Sequence, residues 1–163
     1  MTMTKQSEAF APKNLFHYFA LGEAITWGLL ISGLLAREFL QAQGMVVTIA
    51  GATHGFMFLS YATTAALVGI NNRWGLAKTA IGVILAIVPF ATIPFEKWLL
   101  KRKMLDGLWR RQATKNPNDK TRTDRVFRWF INRPRTLALF IIVFVVTLYS
   151  VLLLLGPPDQ WGN

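Results

Sequence analysis

At 163 residues the chain has room for one compact domain and little more. Its 53% hydrophobic content and positive mean hydropathy come in long apolar blocks, not in the stripes of a soluble core, so an all-α membrane protein is expected. The net charge of +10 would suit nucleic acid, but 13 of the 18 Lys and Arg lie between Lys97 and Arg135 among apolar blocks. That placement reads as a cytoplasmic loop meeting anionic lipid, with no nucleic acid as partner.

The polar tail at residues 1–14 lacks the basic start and small-residue cleavage site of a secretory signal, so the first apolar block is expected to remain as a helix. Four blocks are long enough to span a bilayer, which takes roughly 20 apolar residues. They run over about 15–36, 45–69, 79–95 and 137–155: a three-helix module over 15–96 and one C-terminal span. Arg37 to Gly44 and Ile70 to Lys78 are short connections that make consecutive helices antiparallel neighbours. The third span carries Pro89 and Pro94, and Gly156-Pro157-Pro158 stops the fourth before a short tail over 156–163. No segment alternates as a membrane strand would.

The connection at 97–136 is long and basic. Trp98, Leu99, Leu100, Met104, Leu105, Leu108 and Trp109 recur near helical spacing between Lys101, Arg102, Lys103, Arg110 and Arg111. A second stretch combines Val126, Phe127, Trp129, Phe130 and Ile131 with Arg122, Arg125 and Arg128. Both read as interfacial amphipathic helices, the second capped by Asn118 or Asp119. Lys101, Arg102, Lys103, Arg110, Arg111, Arg125 and Arg128 are the expected headgroup contacts. The positive-inside rule puts this loop in the cytoplasm and, with four spans, both termini outside; Arg73 and Lys78 weigh against that orientation.

Glu23 and His54 are the ionisable residues deep in the first two spans, where a charge costs about 2.5–3.5 kcal/mol. By helical rise they lie about 20 Å and about 14 Å from the face joining those spans, close enough in depth to meet. They form either a proton-linked or ligand-contacting site or a structural interhelical hydrogen bond. Gly51 and Gly55 make a small-xxx-small pattern suited to close helix packing. His17, at about 28 Å, does not match His54 in depth, so the two cannot share a haem within one protomer. One histidine and one carboxylate are too few for a metal site. Without cysteine there are no disulfides, thiolate sites or c-type haem attachment. No nucleophile elbow, phosphate loop or dinucleotide fingerprint occurs, so neither a cofactor nor an enzymatic activity is expected.

Several strings together resemble one family: Ala20-Leu21-Gly22-Glu23, then Gly51-Ala52-Thr53-His54-Gly55 with Phe58 and Tyr61, Trp74, and Pro89-Phe90-Ala91-Thr92. They resemble the small bacterial integral membrane proteins with a His-Gly motif, filed as domain of unknown function number 3817. The likeness covers about Leu15 to Lys101. It implies a three-helix bacterial plasma-membrane module with Glu23, His54 and Gly55 among its signature positions, and it supplies no activity. Arg37-Glu38-Phe39-Leu40 and Ala91 depart from the family pattern, and the basic loop and fourth span lie beyond it. Two functions remain in view. One is an accessory or scaffolding subunit packing on a larger membrane complex or its own copies. The other is a small transporter or proton-linked carrier using Glu23 and His54.

Overall fold

The computed structural model describes residues 11–41, 44–113 and 116–155, and among these every regular element is helical. The tails at 1–10 and 156–163, including the Gly-Pro-Pro stop, lie outside the described residues. Three helices are long and apolar enough to cross a membrane: α1 (Pro12–Leu40), α2 (Gly44–Asn71) and the stretch Pro134–Leu152 of α6 (Pro134–Leu155). Contacts divide the chain after Leu108 into two compact units.

In the first unit α1 and α2 pack as an antiparallel pair. α1 starts with Pro12 at its first helical position, where the missing N–H costs nothing, and ends at Gln41 in the left-handed region. Gly22 receives Met57, and Gly33 faces Val46 and Ala50, which fixes the register of the pair. At its far end α2 closes in a turn with Arg73 at φ 54° and Trp74 N–H bonded back to Gly69 O.

The third expected span is not one helix. It is α3 (Leu76–Ile84), extended by a 3-10 turn over Leu85–Ile87, then a break at residues 88–91, then α4 (Thr92–Lys101). Pro89 explains the break: it lacks an N–H, and it holds Val88 extended at φ −98°, ψ 121°. Phe90 follows at φ 61° and the chain reverses. The apolar stretch Leu76–Ile87 is about 18 Å long and α4 about 15 Å, each roughly half of a 30 Å hydrocarbon core.

Contacts show which way the two half-length helices run. Trp27, near the middle of α1, donates to Ala86 O at 3.1 Å, and Phe90 lies 3.9 Å from a Cβ built on Gly28. From that depth α4 runs back along α1, with Thr92 bonded at Ala20 and Glu23 and Glu96 at His17. After α4, Lys103 turns the chain at φ 56°, and Met104 O accepts from Asn72 Nδ2 (2.7 Å) and Trp74 Nε1 (2.8 Å). Asn71 Nδ2 also donates to Leu108 O at 3.3 Å. The α3–α4 pair therefore dips in and returns, bringing residues 97–108 out at the end that carries Pro12 and Asn71. Four full spans would have delivered Lys97 to the opposite end from Pro12, whereas within the first unit the two lie at the same end. Residues 97–108 fold onto the module as its closing turn. The amphipathic helix expected through Trp109 stops at Lys101.

The second unit holds a 3-10 turn (Pro117–Lys120), α5 (Arg122–Ile131) and α6. α5 is amphipathic, with Asp124, Phe127 and Ile131 buried and Val126 and Trp129 exposed. Its cap is Thr121, whose Oγ1 accepts from Asp124 N at 3.3 Å, not Asn118 or Asp119. Asp119 is instead buried against Arg110 (3.2 Å) and Arg128 (3.6 Å), while Arg110 also holds Asp124 at 2.8 Å.

Candidate functional site

The polar groups of the module gather on one strip of α1 and on the faces of α2 and α4 turned toward it. Positions 17, 20, 23 and 27 of α1 recur at helical spacing, and Thr92 and Glu96 are four apart on α4, so the two rows oppose each other. At the deep end lies Glu23, fully buried. Its Oε2 is 2.8 Å from Thr92 Oγ1, which also lies 3.2 Å from Ala20 O. Its Oε1 has no hydrogen-bond partner among the described residues.

His54 does not touch the Glu23 side chain. The two are linked through Thr26, whose hydroxyl donates to Glu23 O at 2.9 Å and sits 3.1 Å from His54 Nδ1. With the hydroxyl proton given to the carbonyl, Nδ1 carries the ring proton and Nε2 is the acceptor. Trp27 packs on the imidazole with ring centroids 4.3 Å apart, and Phe58 flanks it at 6.4 Å.

Toward the surface, Tyr61 is fully buried in edge contact with Phe16, and its hydroxyl has no partner among the described residues. It lies within electrostatic reach of the Glu23 and Glu96 carboxyl groups. Glu96, also buried, bonds His17 Nδ1 at 2.8 Å, and the His17 side chain is 51% exposed. The array holds carboxyl, hydroxyl and imidazole groups that can pass or store protons. Among the described residues no three His, Cys, Asp or Glu gather as metal ligands.

Sequence reasoning singled out Glu23 and His54 as a polar site; Tyr61 and Thr92 stood only in the strings that carry the family resemblance, and Thr26 and Glu96 were not singled out. Threonine and tyrosine are ordinary in spans, and Glu96 stood as the last residue of the three-helix module, past the end of the third apolar block. Gly51 is half-buried and faces Leu30 at ordinary distance, and Gly55 is half-buried next to His54. Side chains of neighbouring helices come within 3.0 Å of a Cβ built on Gly22, Gly69 or Gly82. Of the basic residues, Lys101, Arg102, Lys103, Arg111 and Arg125 are exposed. Arg110 and Arg128 are turned inward onto Asp119 and Asp124.

The family profile described as "Domain of unknown function (DUF3817)" matches residues 13–101, more than half of the chain. "Putative membrane protein SCO5905" of Streptomyces coelicolor is 38% identical over 84 residues, which are 51% of this chain and 10% of that protein. "Uncharacterized membrane protein YdzA" of Bacillus subtilis is 34% identical over 59 residues, 36% of this chain and 62% of that protein. The chain thus spans less than two thirds of each relative's length. No solved structure matches.

Proposed function

Since the chain belongs to the DUF3817 membrane-protein family, we propose that it is an accessory subunit whose family module docks on a larger membrane protein. The observation that carries this reading is the match to SCO5905, where the corresponding segment makes up a tenth of a much longer membrane protein. A module that is joined covalently to a large body in one relative is suited to joining such a body non-covalently in another. The half of the α1–α2 pair beyond the hairpin tip fits this use: Leu29, Leu34, Leu35, Val46 and Ile49 are exposed there. Purification of the tagged chain in mild detergent, followed by mass spectrometry, tests it. A stoichiometric larger membrane protein is the expected outcome; recovery of the chain alone, as monomer or homo-oligomer, overturns the reading.

The proposal includes a topology in a bacterial plasma membrane: α1, α2 and α6 cross, and α3–α4 re-enters from the side where α1 begins. Lys13, Arg73, Lys78, Lys97, Lys101, Arg102 and Lys103 all belong to that end of the module. By the positive-inside rule that end is cytoplasmic. Arg73 and Lys78, which opposed a four-span orientation, then agree with the rest. α5 lies in the headgroup region with Trp129 at the interface.

A carrier is the second reading, favoured by the helix break at the depth of Trp27 and Gly28. Discontinuous helices meeting near the membrane midplane are how many transporters build a site. Normal folding and membrane levels of Glu23→Gln and His54→Ala, with loss of substrate movement, would favour it.

A further inference from the structure

We infer that Glu23 is a proton-loading site in the membrane interior, reached from the surface at the α1 start through His17, Glu96 and Tyr61. The inference is independent of whether the module docks or carries.

The proton count at Thr92 supports it first. Its hydroxyl has one proton, yet it sits within bonding distance of two acceptors, Ala20 O at 3.2 Å and Glu23 Oε2 at 2.8 Å. A single proton serves both acceptors only as a weak three-centre bond; both contacts become full hydrogen bonds when Oε2 carries a proton and donates it to Thr92, which then donates to Ala20 O. Oε1 is then the carbonyl oxygen of a neutral acid, and leaving it without a donor costs far less than stranding a carboxylate oxygen. When the proton leaves, Thr92 divides its one proton between two acceptors, and the other nearby donor, the Trp27 indole N–H, is already engaged at Ala86 O. The site therefore has two states with different hydrogen bonding.

The second support is the row of groups leading to it. His17 is half-exposed at the surface and bonds the buried Glu96 at 2.8 Å. Tyr61 comes next: its buried ring meets Phe16, the neighbour of His17, at 5.6 Å, and its hydroxyl has no partner among the described residues. A phenol both donates and accepts, and a single water can bridge such a group to a neighbouring oxygen. The titratable groups facing Glu23 are thus Tyr61 from α2, Glu96 from α4, and His54 through Thr26. α3 contributes none, its Lys78 being exposed at the helix start. A metal cation in place of the proton would need six or more oxygens if calcium or magnesium, and the site does not gather them.

The test uses the full chain in lipid nanodiscs held at a high pH at which the infrared carbonyl band of Glu23 has been lost, and follows the return of that band after a flash-released proton. A Glu23 band that no pH removes overturns the loading site. The band should rise after the flash, and Glu23→Gln should remove it. Tyr61→Phe should keep its final amplitude and slow its rise at least tenfold, less than the roughly hundredfold typical of a positioned proton-transfer group. Where Tyr61→Phe does not fold, Glu96→Gln takes its place with the same expectation. A band that never depends on Glu23 overturns the loading site. A rise equally fast in the Tyr61 or Glu96 variant overturns the path.

Discussion

Thr92 joins the α3–α4 hairpin to the buried Glu23 carboxyl group of α1, and its hydroxyl makes the hydrogen bonds that do so. Thr92→Val keeps the shape and removes the donor. The expected cost is about 1–2 kcal/mol, since a buried acceptor loses its partner. Thermal or denaturant unfolding in detergent measures it, and Thr92→Ser should recover most of the loss. An unchanged valine variant would mean that packing alone seats α4. Thr92 stood in the sequence only as the end of a string shared with the family; its bond to Glu23 was not legible, because a threonine after two apolar turns looks like any other. Glu23 and His54 were legible because an ionisable group inside an apolar block has few reasons to be there. What they bond to was not, since Thr26 and Thr92 reach them from positions that no local pattern marks.

Among the elements, α1, α2 and α6 could be read from sequence because each is a long apolar run with no proline inside it. The third run was just as apolar, and hydropathy measures apolar length without recording that the chain turns back. Pro89 carried the missing information, and Phe90 at φ 61° completes the reversal at a strain of about 1–3 kcal/mol. Seating of the hairpin depends on close contact between α2 and α3. A Cβ on Gly69 would fall 2.5 Å from Thr79 Oγ1 and 2.9 Å from its Cγ2. Gly69→Ala should destabilise the module by about 1–3 kcal/mol, the usual cost of overpacking. Adding Thr79→Ala, which deletes both atoms, should return most of that stability. Melting curves of the two variants check this, and a silent Gly69→Ala would show that α3 shifts freely on α2.

At the scale of the whole chain, the basic charge divides into two uses. Arg110 and Arg128 hold Asp119 and Asp124 inside the second unit, pairings across 9 and 14 residues that the charge pattern did not reveal. Lys101, Arg102 and Lys103 are exposed, with Arg102 over the Trp98 ring at 4.9 Å, and are the residues whose contact with anionic headgroups is open to test. Changing all three to Gln should weaken binding of a peptide spanning residues 95–113 to anionic vesicles by roughly a hundredfold, at about 1 kcal/mol per charge. The difference should shrink as salt is added, and a salt-independent difference would contradict the electrostatic account. The re-entrant topology makes a sharper claim. Lys78 opens α3 and Lys103 follows α4, so single cysteines at these two exposed positions should sit on the same side of the membrane, with Gln41→Cys on the other. An impermeant thiol reagent added to intact cells should label Gln41→Cys and spare the other two until the cells are opened. The chain has no cysteine of its own, so each signal comes from one site. Opposite labelling of Lys78→Cys and Lys103→Cys would mean that α3 and α4 together cross the bilayer. The polar row from His17 to Glu23 would then open on the wrong side for the loop that follows it. Equal protection keeps the row, the clasp at Met104 and the basic cluster on one face, the arrangement in which a proton collected at His17 arrives from the cytoplasm.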